Sequence, residues 1–159
     1  MDMGCYTVDV ARMTLGGLPE FVVAAADFDE RLKVDVSLAG ILAFSGGRFG
    51  TVSCSFLAGG EDSYVLIGTR GTIEVPRAFI PGYGKRAGEG LVIIVDENGN
   101  RREERFAPVD QYRLMVDAFS SPVLTGEPPP YRASDSVDTM RILDALGAAA
   151  LKNESCAVA

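Results

Sequence analysis

The hydrophobic period of this chain changes twice, and those changes constrain its fold more than any other feature. Over residues 4–15 apolar side chains recur at helical spacing. From about residue 21 to residue 106 they fall in short runs or on alternate positions, the spacing of strands. After Pro108 the helical spacing returns. A block of strands bracketed by helices is an α+β arrangement. Most connections are hairpin-length, so the expected sheet is open and mostly antiparallel, of six to eight strands, with the helices packed on one face.

The first helix carries two neighbouring stripes, Tyr6, Val10 and Met13 beside Val8, Ala11 and Leu15. Gly16-Gly17 stops it and Pro19 prevents continuation. Residues 21–26 form an uncharged strand closed by an acidic turn over 27–30. Val34, Val36, Leu38, Leu42 and Phe44 mark the core side of a second strand, which Ser45-Gly46-Gly47-Arg48 turns back into residues 49–57. Residues 64–67 and 72–75 pair around Thr69-Arg70-Gly71. Residues 91–95 and 101–106 flank Asn98-Gly99, the strongest hairpin signal present. Tyr112, Met115, Val116, Phe119 and Val123 then predict a helix with a stripe facing a core, ended by Gly126 and Pro128-Pro129-Pro130. A last helix starts near Ser134 with Asp135 in its first turn, and its expected buried line is Val137, Met140, Leu143, Leu146 and Ala150. Residues 156–159 are expected to add an edge strand. The 76–90 loop, with Phe79, Ile80 and Tyr83, is long enough to line a pocket.

Length and charge bound the function. A chain of 159 residues is expected to form a single domain, 1–159. A formal charge of −7 argues against nucleic acid or an anionic membrane as partner. No apolar run is long enough to span a bilayer, and no Lys/Arg-led apolar stretch resembles a signal peptide. Cys5, Cys54 and Cys156 are odd in number and widely separated, which fits reduced thiols in a cytoplasmic protein. The chain has no histidine, so a His-based zinc site, a Ser-His-Asp triad and a Cys-His dyad are excluded within it.

The candidate chemistry sits at the start. Asp2 and Tyr6 are four residues apart, on one face of a helix, a spacing that suits a proton-transfer residue and its orienting partner. Two structural uses stand beside that reading: Tyr6 as an aromatic packed on a buried stripe, and Asp2 as a helix cap. Arg12 is expected to meet the helix dipole or a surface carboxylate. The run Gly82-Tyr83-Gly84-Lys85-Arg86-Ala87-Gly88 superficially resembles a phosphate loop. It follows no strand–turn context and no amphipathic helix comes after it, so it reads as a surface loop and no cofactor site is expected in this chain.

The strands carry a further clue. Opposite the core set of the second strand stand Asp35, Ser37, Ala39, Ile41 and Ala43, and the next strand presents Phe49, Thr51, Ser53, Ser55 and Leu57. A solvent-washed antiparallel face normally carries Lys, Glu and Arg, whereas this one is small and neutral. It is expected to pack on a second copy of itself, giving a homodimer or higher homo-oligomer; a sheet covered on both sides within the chain is the alternative.

Three stretches, in order, resemble one family. The opening Asp2-Met3-Gly4-Cys5-Tyr6 resembles the helix after the nucleotide-binding domain of Gfo/Idh/MocA-type oxidoreductases. Ile67-Gly68-Thr69-Arg70-Gly71-Thr72-Ile73-Glu74-Val75 resembles that family's sheet hairpin. Tyr112-Arg113-Leu114-Met115, with the stretch from Asp138 through Ala145, resembles its closing helices. The resemblance implies the C-terminal, substrate-binding and oligomerisation domain of an NAD- or NADP-dependent enzyme, without its N-terminal Rossmann domain and inactive in isolation. The implied substrate is the hydroxyl of a small polyol: a sugar, cyclitol or trans-dihydrodiol. Many members have histidine at this position; this chain has Tyr6 there, as in the branch resembling glucose–fructose oxidoreductase and the dihydrodiol and xylose dehydrogenases. Tyr6 is then the proton donor or acceptor and Asp2 its neighbour. An isolated phenol, with a pKa of about 10, is a poor base at neutral pH and needs a nearby ammonium to lower it. The family takes that ammonium from a Glu-Lys-Pro motif in its Rossmann domain, and Lys33, Lys85 and Lys152 lie in no such motif. The alternative is a stand-alone homodimeric binding or scaffold domain that has lost its Rossmann half.

Overall fold

The alternating block forms eight strands, divided between two four-stranded sheets in which every pairing is antiparallel. The computed structural model describes residues 2–59, 62–79 and 88–158. It has the expected α+β class and comprises two compact units, one of Met1–Gly59 with Tyr131–Ala159 and the other of Gly60–Pro130.

In the first unit, helix α1 (Gly4–Leu15) is followed by strands β1 (Phe21–Phe28), β2 (Asp35–Phe44) and β3 (Arg48–Ser55), then by helix α3 (Ala133–Lys152) and the short strand β8 (Cys156–Ala157). The sheet order is β3-β2-β1-β8, so the tail supplies the expected edge strand. One face buries Val22, Leu38, Leu42 and Val52 beneath Val8 of α1 and Ile142 and Leu146 of α3. Gly40 lets α3 approach closely: a Cβ there would lie 2.7 Å from Leu146 Cδ2 and 3.1 Å from the Val23 carbonyl oxygen.

Several expectations shift in detail. β1 continues through Asp27 and Phe28, which pair with Ser37 and Asp35, so the acidic turn starts two residues late. Asp29 makes that turn, its carboxylate accepting from the Arg31 and Leu32 amides at 2.9 and 2.7 Å. Val34 precedes β2 and is exposed. On α1 the stripe of Val8 and Ala11 packs, while Tyr6 and Met13 stand out. On α3 the buried line is Thr139, Ile142, Leu143, Leu146, Ala149 and Ala150, with Val137 and Met140 exposed. The first turns of α3 are aligned by polar contacts of Asp135 and Thr139 rather than by their apolar neighbours.

In the second unit, β4 (Tyr64–Gly68), β5 (Gly71–Val75), β6 (Gly90–Asp96) and β7 (Arg101–Phe106) form a meander, followed by helix α2 (Gln111–Thr125). Both predicted hairpins are present. Gly71 has φ +135° and faces the β6 backbone so closely that a Cβ would stand 2.0 Å from the Val95 oxygen. Strand β7 alternates sign on each face: Glu103 lies 2.6 and 2.7 Å from Arg101 and Arg105, and Arg102 lies 2.9 Å from Glu104. The two arginines, Arg101 first, hold the Glu103 carboxyl below its ordinary range. Asp110 caps α2 by accepting from the Tyr112 and Arg113 amides, and Gly126 closes it in the left-handed region. The stripe Tyr112, Met115, Val116, Phe119 and Val123 is present but is 49–68% exposed, contrary to the expected core-facing role. Amphipathic spacing specifies a face to be covered without supplying the cover. Of the 76–90 loop, Phe79 packs its ring 6.5 Å from that of Tyr64. Ile80, Tyr83 and the glycine-rich run up to residue 87 lie outside the described residues.

Candidate active site

Helix α1 turns its small residues inward, with Gly4, Val8 and Ala11 buried, and the 3.6-residue period therefore carries Tyr6 outward. Tyr6 is 45% exposed, which separates it from the packed stripe. Asp2 is also exposed and lies in the turn before the helix, its backbone oxygen accepting from Cys5 Sγ at 3.0 Å. The N-cap position belongs to Met3, whose side chain makes no capping bond, so the carboxylate of Asp2 does not cap α1.

Two turns further on, Arg12 organises a polar cluster that sequence reasoning did not assemble. Its guanidinium is 12% exposed and reaches Asp9 Oδ1 at 3.1 Å on its own helix and Asp135 Oδ1 at 3.4 Å on α3. Arg12 Nε donates to Thr139 Oγ1 at 3.2 Å, and that hydroxyl donates to Asp9 Oδ1 at 3.0 Å. Arg12 thus does meet a carboxylate, but in a half-buried cross-helix cluster rather than on an open surface. The Asp9–Arg12 spacing was visible at i, i+3; the partners 123 and 127 residues away were not.

The three cysteines are free thiols packed against the core cluster. Burial pushes the Cys54 thiol above its ordinary pKa, the reverse of what an activated nucleophile needs. Among the described residues, no group of three His, Cys, Asp or Glu side chains gathers to hold a metal ion. No helix among them is long and apolar enough to cross a membrane.

The uncovered face of the β3-β2-β1-β8 sheet presents Phe21, Val23, Ile41 and Phe49, all exposed. Val23, Ala25, Ala39, Ile41, Thr51 and Ser53 line a shallow hollow of about 470 Å³ on it, with no charged side chain in the lining.

Comparison with known proteins fixes the family. The GFO/IDH/MocA C-terminal domain matches residues 1–74. An uncharacterized oxidoreductase of Rhizobium meliloti is 32% identical over 151 residues, spanning 91% of this chain and 44% of its own length. A D-xylose 1-dehydrogenase (NADP(+)) of Haloferax volcanii is 35% identical over 146 residues, spanning 92% of this chain and 43% of its own. This chain belongs to the Gfo/Idh/MocA C-terminal domain family. A solved 3-ketoreductase of Actinomadura kijaniata in complex with NADP shares the fold, with a TM-score of 0.79 at 24% identity over 92% of this chain and 45% of that one. The chain spans a little under half the length of these relatives.

Two of the described helix N-termini, those of α2 and α3, are poorly suited to a pyrophosphate. A pyrophosphate needs open amides at a helix N-terminus. At α2 the Asp110 carboxylate already takes the Tyr112 and Arg113 amides, and at α3 Asp135 stands in the first turn. Negative charge at both positions opposes a phosphate.

Proposed function

We propose that this chain is the substrate-side domain of an NAD(P)-dependent oxidoreductase acting on a hydroxyl of a sugar, cyclitol or trans-dihydrodiol, with Tyr6 as its proton-transfer residue and Asp2 beside it. The observation that carries the reading is the outward Tyr6 on α1, in a chain 35% identical over most of its length to a D-xylose 1-dehydrogenase. Tyr6 takes the hydroxyl proton at its phenolic oxygen when the substrate is oxidised and returns it in the reverse direction. Asp2 orients the hydroxyl or the phenol. The ammonium that makes the phenol competent near neutral pH, and the residues that hold the nicotinamide, belong to a nucleotide-binding half outside these 159 residues. The domain is inactive without that half.

The same reading makes the bare sheet face the contact between two copies. Its exposed Phe21, Val23, Ile41 and Phe49, the small residues between them and the uncharged hollow support that use. The acidic chain with no membrane-crossing helix among its described residues is consistent with the cytoplasmic location expected from its reduced cysteines.

The test is spectrophotometric. The domain joined to its nucleotide-binding half is expected to reduce NADP or NAD with at least one aldose, cyclitol or trans-dihydrodiol, while the 159 residues alone produce no signal. A joined protein inert toward all three classes, or an isolated domain that turns over, contradicts the proposal.

A further inference from the structure

We infer that Arg12 is a positioning residue: by tying α1 to α3 through Asp9, Asp135 and Thr139 it fixes the rotation of α1, and so fixes where the Tyr6 phenol stands. The inference rests on the reading of Tyr6 as the proton-transfer group. Three observations lead to it. First, α1 meets the core through Val8 and Ala11 with Cys5 and Leu15 beside them, an apolar contact that sets how closely the helix lies and that carries no directional bond. Second, Met3, at the N-cap of α1, makes no side-chain cap, so the helix start lacks the usual capping bond. Third, Arg12 makes two directional bonds from α1 to α3, its planar fork engaging Asp135 Oδ1 and Thr139 Oγ1 there and Asp9 Oδ1 on its own helix, while the Thr139 hydroxyl donates to the same Asp9 oxygen. Tyr6 lies six residues, about 9 Å, along the helix from that anchor, and a small rotation at Arg12 displaces the phenol.

The cluster is built for geometry rather than for chemistry. Arg12 is 12% exposed and Thr139 is 8% exposed, so neither is open to a substrate. Two carboxylates and one hydroxyl meet the guanidinium fork, and the direction of those bonds favours one orientation of one helix on the other.

The experiment has two readouts. In the 159-residue chain with ¹³C-labelled tyrosine, the Tyr6 ring resonance is identified by its loss in Tyr6→Phe. Arg12→Met is expected to shift or split that resonance, and Thr139→Val, which removes only the hydroxyl, to move it less in the same direction. Ala149→Gly, a fully buried change on α3 outside the cluster, is expected to lower the melting temperature and leave the resonance in place. In the protein joined to its nucleotide-binding half, Arg12→Met is expected to lower kcat about 10- to 100-fold with the cofactor KM unchanged, the scale of a misplacement near 1 Å. An unmoved Tyr6 resonance in folded Arg12→Met and Thr139→Val chains overturns the inference, as does an unchanged kcat in Arg12→Met when Tyr6→Phe is inactive. Full activity in Tyr6→Phe would instead sink the role of Tyr6, while the resonance shift still decides whether Arg12 positions it.

Discussion

The two units of this chain spend their apolar residues differently. The first closes a core: two helices lie on one sheet face, and Leu42, Ile142 and Leu146 are fully buried. The second closes almost none, for Val75 is its one buried hydrophobic among the described residues and α2 keeps its stripe exposed. The sequence patterns were equally clear in both. Periodicity therefore reports which face of an element seeks burial, and packing decides whether it is found.

That contrast is sharpest in large-to-small substitutions. Leu146→Ala removes a fully buried side chain of the first unit and is expected to cost about 2–5 kcal/mol. Phe119→Ala on α2, 63% exposed, is expected to stay within about 0.5 kcal/mol. Urea denaturation measures both, and a costly Phe119→Ala would mean that α2 is covered in solution. Within the second unit the vulnerable point is backbone: Gly71→Ala drives a Cβ into the Val95 oxygen at positive φ and is expected to cost about 1–3 kcal/mol. Next comes the cap of α2, where Asp110→Ala is expected to lose about 1 kcal/mol of stability, read by the same titration.

The difference between the units in how readable they were lies in the range of the interactions. Hairpins announced by Asn98-Gly99 and Thr69-Arg70-Gly71 depend on neighbours in sequence, and both formed where expected. The small, neutral sheet face followed from counting alternate positions along β2 and β3, whereas helical spacing alone left Tyr6 equally suited to a packed stripe, from which it in fact stands out. The Arg12 cluster did not follow, because Asp135 and Thr139 reach it from the other end of the chain. For the same reason the buried line of α3 was placed too near Val137 and Met140. The exposure of α2 was invisible as well, since an amphipathic stripe looks the same whether or not anything covers it.

Titration separates the units with smaller effects. The Glu103 carboxyl is held below its ordinary 4.5 by Arg101 and then Arg105, so its contribution to the β6–β7 hairpin is present above that pH and is lost as pH falls through the depressed value. Cys54 is raised above its ordinary 9.0 by burial, so its contribution to the first unit is complete below about pH 9.0 and is lost as pH rises beyond it. Amide-resolved thermal melts across pH are expected to show the second unit weakening in acid and the first in alkali. Glu103→Gln should reduce the acid effect, the remainder coming from Asp96, whose carboxyl the Asn100 side chain likewise holds below its ordinary range, and Cys54→Ala should remove the alkaline one.

The account rests on the phenol that α1 turns outward. In the domain joined to its nucleotide-binding half, Tyr6→Phe removes one oxygen from a side chain that is 45% exposed, and a thermal melt checks that the variant is folded. The measurement is kcat for oxidation of the best polyol substrate. A fall of about 10²- to 10⁴-fold, the span ordinarily contributed by a positioned acid–base group, is the expected result; a folded Tyr6→Phe protein with undiminished kcat contradicts the account.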